Sequence, residues 1–171
     1  MKNIKLYKMV ITAMLTAMIF VFTRFISVPV AAGYVHFGDA LVYLTASLLG
    51  GPWAFFAAAI GEALADLASG WVAYIPATLI TKALIALPFV LVNKKSEKIL
   101  TLLTALFTIP AGAITVGGYF LADLIIDKTY AFVNIYGNVV QAIGSAVVFI
   151  ILAAAFDAGK LKKNYLNLNS K

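Results

Sequence analysis

Six long apolar stretches, separated by short polar or Gly/Pro-rich breaks, run the length of this chain. They cover residues 9–28, 38–49, 53–69, 72–92, 99–123 and 130–157. Pro29 closes the first, and a loop rich in Pro, Gly and aromatics (29–37) follows it. Gly50-Gly51-Pro52 is a strong turn signal after the second. Gly70 closes the third, Asn93 to Ser96 the fourth, and Pro110 and Gly112 lie inside the fifth. Each stretch is apolar all round at helical length, and the strict alternation of a membrane barrel is absent. At about 20 residues per span, the pattern predicts an all-α integral membrane protein of six helices. The second stretch is short for a span and is expected to be tilted or shielded by neighbours. The first is too long for a cleaved signal peptide and has no clear cleavage site. With no linker or low-complexity segment, residues 1–171 are read as one domain.

Composition sharpens this. The 171 residues are 63% hydrophobic and only 12% charged, against about 25% charged in a soluble domain. Mean hydropathy is +1.00. A soluble domain of this size could not hide so much apolar surface. An ordinary soluble enzyme and a disordered chain are excluded. The net charge of +6 does not suggest nucleic acid, because it is explained by topology. Ten of the 13 basic residues (Lys2, Lys5, Lys8, Lys94, Lys95, Lys98, Lys160, Lys162, Lys163 and Lys171) fall on one side of a six-helix arrangement. Basic loops face the cytoplasm, so both termini are expected inside, with the 29–37 loop outside. There is no cysteine and one histidine, His36, so no metal site is expected.

Polar residues inside the spans carry the remaining information. Folding the third and fourth helices into a hairpin brings Glu62 level with Lys82 and Asp66 level with Thr78. Glu62 and Asp66, four residues apart, share one face. Two readings stay open: a structural Glu62–Lys82 or Asp66–Lys82 pair, or a polar pocket, since intramembrane ionisable groups are costly and default to function. Folding the fifth and sixth helices together brings Gly117, Gly118, Tyr119 and Asp123 level with Asn134, Asn138 and Gln141. Their amides suit either the edge of a heteroaromatic ring or interhelical packing. With Asp39, these groups lie in the outer half of the membrane or near its middle, and the inner half is nearly featureless. A path across the bilayer needs polar groups at all depths, so the pattern describes a cup open to the outside. Tyr34, His36, Phe37, Trp71, Tyr74 and Tyr136 ring its mouth. Ala13 and Ala17 give the first helix a small-xxx-small face for another helix.

The chain has no Walker A sequence, no G-x-S-x-G and no H-E-x-x-H. It has features for binding a solute but no means of hydrolysing ATP. The segments FTRFISVPV (22–30), GYVHFGDALVYL (33–44), LLGGPWA (48–54), AIGEALADLASGWVAYIPATLITKAL (59–84), VGGYFLAD (116–123) and YGNVVQAIG (136–144) resemble substrate-binding S components of energy-coupling factor (ECF) vitamin transporters. The likeness is to their riboflavin/hydroxymethylpyrimidine/pyridoxine branch. One departure is Glu62, where a small residue is expected in many relatives.

The resemblance implies a six-helix S-component fold in a prokaryotic plasma membrane. It implies an outward vitamin site drawing on Tyr34, His36, Phe37, Asp39, Glu62, Asp66, Tyr74, Thr78, Lys82, Tyr119, Asn138 and Gln141. It further implies a 29–37 lid, and a membrane coupling protein (T component) that meets Ala13 and Ala17. Two partner ATPases would use the ATP, and this chain would hold no cofactor of its own. The alternatives are a stand-alone small permease and a membrane-embedded enzyme working through Glu62, Asp66 and Lys82, though the Asp-rich metal motif of such an enzyme is missing.

Overall fold

A computed structural model describes residues 4–30, 33–93 and 96–169. Its element order is α1 (Ile4–Phe25), β1 (Ser27–Val30), β2 (Gly33–His36), α2 (Gly38–Leu49), α3 (Gly51–Ser69), a 3-10 turn (Val72–Tyr74), α4 (Ile75–Asn93), α5 (Leu102–Ile126), α6 (Lys128–Ala158) and α7 (Leu161–Asn169).

The breaks follow local chemistry. Gly50 and Gly51 take positive φ (65° and 59°), a region open to glycine, and Pro52 then sits in the first turn of α3, where no backbone donor is needed. Gly70, at φ 82°, ends α3 in a left-handed cap. Thr101 and Thr104 cap α5 reciprocally. Asp127 ends α5 and caps α6 through Thr129 N–H.

Several expected boundaries move. The first helix stops at Phe25 rather than Val28. Ser27–Val30 instead pairs antiparallel with Gly33–His36, Pro29 opposite Tyr34. The residue before a proline resists helical geometry, and proline lacks a backbone donor, so an extended edge suits this segment. The fifth helix begins at Leu102, not at 99, because Asp157 accepts the Ile99 and Leu100 N–H groups at 2.7 and 2.8 Å and holds them outside the helix. The fifth and sixth helices lengthen to Ile126 and from Lys128 around the shared Asp127 cap. The 3-10 turn takes the first three residues expected for the fourth helix. Beyond the six expected helices, the basic tail forms α7, where the Lys162 ammonium is buried and donates to the Lys98 carbonyl at 3.2 Å.

Short α2 is central. It packs on α1, α3, α4 and α6, and every residue from Gly38 to Leu48 is buried. A helix sheathed in protein need not match the bilayer's thickness. Below the polar layer, Tyr43 stacks on Phe89 at 4.6 Å, and Phe149 meets both edge-on at 5.8 and 5.4 Å. On α3, Gly61 lets α1 come close: a Cβ there would lie 2.9 Å from the Thr16 carbonyl oxygen and 2.8 Å from an Ile19 methyl. The outer faces carry Leu102, Ile109, Ile125, Phe132 and Ile143, each exposed. Lys5–Phe25, Val72–Val92, Leu102–Ile126 and Lys128–Ala158 are each long and apolar enough to cross a membrane.

The two ends of the bundle differ. Tyr7 stacks on Tyr165, and Asp157 and Lys162 hold the 96–101 turn, so the start of α1, that turn and α7 gather at one end. The β-hairpin, the 3-10 turn and the α5–α6 junction lie at the other.

Candidate functional site

Asp39, in the first turn of α2, is the hub of the polar layer. It is fully buried and ion-pairs with the equally buried Lys82 of α4. Its other oxygen accepts from Gln141 of α6 at 3.0 Å and from Thr115 of α5 at 3.5 Å. Three helices thus converge on one carboxylate at a helix N-terminus, where negative charge is favoured. The Lys82 ammonium also lies 5.1 Å over the Tyr119 ring.

The hairpin is tied down onto this layer. Gln141 Oε1 accepts from His36 N–H at 3.3 Å. Tyr34 donates to Asp66 Oδ1 at 2.8 Å, and Thr78 donates to the other oxygen of Asp66. Thr78 also meets the Tyr119 hydroxyl at 3.0 Å. The His36 ring accepts from Gly38 N–H through Nδ1 at 3.1 Å. Its proton therefore sits on Nε2, which faces Glu62 at 3.6 Å. Burial, and then the Lys82 ammonium, pull His36 down to about 3, so the hairpin imidazole is neutral at physiological pH. Glu62 Oε1 and Thr23 Oγ1 are buried without a hydrogen-bond partner. A Cβ at Gly38 would run into both, and this close approach requires glycine there.

Under the hairpin lies a cavity of about 60 Å³ lined by residues of β2, the end of α3, the 3-10 turn, α5 and α6. Seven residues expected at the site line it: Tyr34, His36, Asp66, Tyr74, Tyr119, Asn138 and Gln141. Asp39, Lys82, Thr78 and Glu62 sit behind that wall and support it. Phe37 turns away and packs on Gly144 of α6, where a Cβ would lie 2.7 Å from its ring. Neither expected structural pair forms: Lys82 pairs with Asp39, while Glu62 faces His36 and Asp66 takes hydroxyls. Gly118 brings α5 against Thr81 of α4, not against α6. Tyr136, expected at the mouth, is exposed on the outer face of α6.

Trp71, expected at the mouth, lines the cavity, and so do Asp123, Asn134 and Gly137, which are outside the expected binding set. Asp123 accepts from Tyr74 at 2.6 Å and from Asn134 at 3.1 Å. The signal was present in the levelling of Asp123 with Asn134 across the α5–α6 junction.

A second, apolar groove of about 490 Å³ runs between α1 and α3, lined by Ala13, Ala17, Phe20, Trp53 and Phe56 among others. Ala13 and Ala17 are exposed, because α1 turns its other face, with Leu15, Ile19 and Thr23, inward.

Removing one partner of a buried pair strands the other charge at a cost of about 3–5 kcal/mol. Lys82→Met should therefore lower thermal stability sharply. Adding Asp39→Asn should recover much of the loss, and adding Asp66→Asn should not. Thermal unfolding of the purified variants in detergent reads the difference.

A comparison with curated proteins returned no match. The family described as ECF-type riboflavin transporter, S component, matches residues 3–158. That stretch includes the hairpin, the Asp39 hub, the cavity lining and the α1 groove. This chain belongs to the family of S components of ECF-type riboflavin transporters.

Proposed function

We propose that this chain is the solute-capturing subunit of an ATP-driven importer. It takes a small vitamin or vitamin precursor, riboflavin-like, hydroxymethylpyrimidine-like or pyridoxine-like, from outside the cell. A membrane coupling protein and two ATPases then power delivery inward. The observation that carries this reading is the cavity itself, which lies beneath the hairpin at the end opposite the basic one. By the positive-inside bias, both termini and the 96–101 turn are cytoplasmic; α1 to α6 cross a prokaryotic plasma membrane, with short α2 sheathed by its neighbours, and residues 1–171 act as one domain.

The hairpin is the lid. Ligand sites commonly enclose about 300–1,000 Å³, so a cavity of about 60 Å³ describes a closed lid that must lift or shift to admit a ring. Opening breaks the Tyr34–Asp66 and His36–Gln141 bonds and exposes the amides of Asn138 and Gln141 to the ligand's edge. The Asp39–Lys82 pair stays behind as the floor.

The α1–α3 groove is the coupling face. Its small residues admit another helix closely, and it lies on a different surface from the cavity lining. Binding and coupling are therefore separable. A stand-alone permease remains the competing account, and it requires flux by this chain alone.

The proposed role needs no metal or cofactor on this chain. His36, Asp39 and Glu62 lie close enough to hold an ion. However, the Gly38 N–H occupies Nδ1, which keeps a proton on the nitrogen that would ligate, and the Lys82 ammonium already neutralises Asp39.

Ala13→Trp should abolish uptake in cells carrying the whole transporter while solute binding to the purified chain stays unchanged. Loss of binding, or solute flux into vesicles holding this chain alone, would contradict the assignment. Tyr34→Phe deletes a hydrogen bond to a carboxylate, worth about 1.5–3 kcal/mol. It should speed ligand dissociation roughly tenfold or more and change association less, as stopped-flow fluorescence of Trp71 would show.

A further inference from the structure

What the cavity leaves unsatisfied identifies the kind of ligand it takes, given that the cavity is the binding site proposed above. Four of its side-chain donors are already engaged, and the Asn138 amide and Trp71 indole remain for a ligand's own acceptors. The Tyr34 hydroxyl goes to Asp66 and the Tyr74 hydroxyl to Asp123, at 2.8 and 2.6 Å. The Gln141 amide nitrogen goes to Asp39 and that of Asn134 to Asp123, at 3.0 and 3.1 Å.

Its acceptors are not spent. Asn134 is only 8% exposed, lines the cavity, and its Oδ1 has no hydrogen-bond partner. A buried carbonyl left this way is costly unless a donor arrives. Each carboxylate offers about four lone-pair positions, and the side-chain bonds to Asp66 and Asp123 fill two on each.

Charge points the same way. Two carboxylates, Asp66 and Asp123, line the cavity, and no Lys or Arg does among the described residues. The nearest ammonium, Lys82, is engaged by Asp39. An anionic ligand would be repelled in this low-dielectric setting, and a cationic one attracted. Trp71 and Tyr74, edge-on at 5.8 Å, and Tyr119 form aromatic walls that suit a flat ring and a positive charge.

We propose that the ligand is a small, flat heteroaromatic molecule that presents an amine or a protonated ring nitrogen to Asp123 and Asn134 and carries no phosphate or carboxylate. A ring edge of two carbonyls flanking one N–H, as in the dione ring of a flavin, brings mostly acceptors to a wall already rich in them. Transport of the unphosphorylated form follows as well, so any phosphorylation of the solute belongs to a later reaction inside the cell.

Titration calorimetry of the full chain in detergent tests this with four probes. They are a hydroxymethyl-bearing aminopyrimidine, the counterpart with a carbonyl in place of the amine, the phosphate ester of the first, and riboflavin. The aminopyrimidine should bind roughly tenfold or more tighter than the carbonyl compound, and the phosphate ester should not bind. Asp123→Asn should collapse that preference. The proposal is overturned if the carbonyl compound, the ester or riboflavin binds as tightly as the amine, if the amine does not bind at millimolar concentration, or if the preference survives Asp123→Asn. Tight riboflavin binding that is weakened by Asn138→Ala would overturn the charge inference and leave the site standing. Tight binding of any probe that neither Asn138→Ala nor Tyr34→Phe alters would overturn the site itself.

Discussion

The buried pair of Asp39 and Lys82 is the constraint on which the rest of the polar layer depends. Neither charge tolerates the interior alone, so α2 and α4 are held in one register. Once Asp39 is fixed, its second oxygen orients Gln141 and Thr115, and Gln141 in turn presents the oxygen that receives the hairpin's His36 N–H. The hairpin, α2, α4 and α6 therefore share one chain of bonds: Lys82 to Asp39 to Gln141 to His36. A second chain, Thr78 to Asp66 to Tyr34, ties the other edge of the hairpin to α3 and α4.

This arrangement separates holding from reading. The strongest charges, Asp39 and Lys82, satisfy each other behind the cavity wall, while the groups facing the cavity are hydroxyls, amides and the carboxylates of Asp66 and Asp123. In the proposed role, a solute entering the cavity meets side chains whose geometry is already set by the layer beneath. The proposed coupling face lies elsewhere, on the exposed stripe of α1 around Ala13 and Ala17, and that division suits the proposed subunit, which captures a solute and draws its power from partners.

Much of the fold was legible because burial in lipid leaves long apolar runs and because Gly and Pro mark their ends. The pairing of Asp66 with Thr78 was legible too, since counting outward from the α3–α4 turn puts them level. The partner of Lys82 was not. Asp39 is 43 residues away, and only the central position of α2 brings it to α4, which no hairpin count reveals. The β-hairpin was hidden because Pro29 and Gly33 read as loop residues. α7 was hidden because its helix is polar, and its buried Lys162 looked like one more charge in a solvated tail. Phe37 reads as one of the aromatics at the mouth of the cup, but Gly144 opens a slot that takes its ring.

The most direct test of this account is hydrogen exchange at the backbone amides of residues 33–38, compared between the wild-type chain and a variant with apolar side chains at both hub positions, Lys82→Met with Asp39→Leu. The account predicts a folded bundle, with α1 and α5 exchanging as in the wild type, but much faster exchange across 33–38, because Gln141 loses the carboxylate that orients it toward His36. Unchanged protection across 33–38 in a folded double variant would contradict the claim that the Asp39–Lys82 pair holds the hairpin in place.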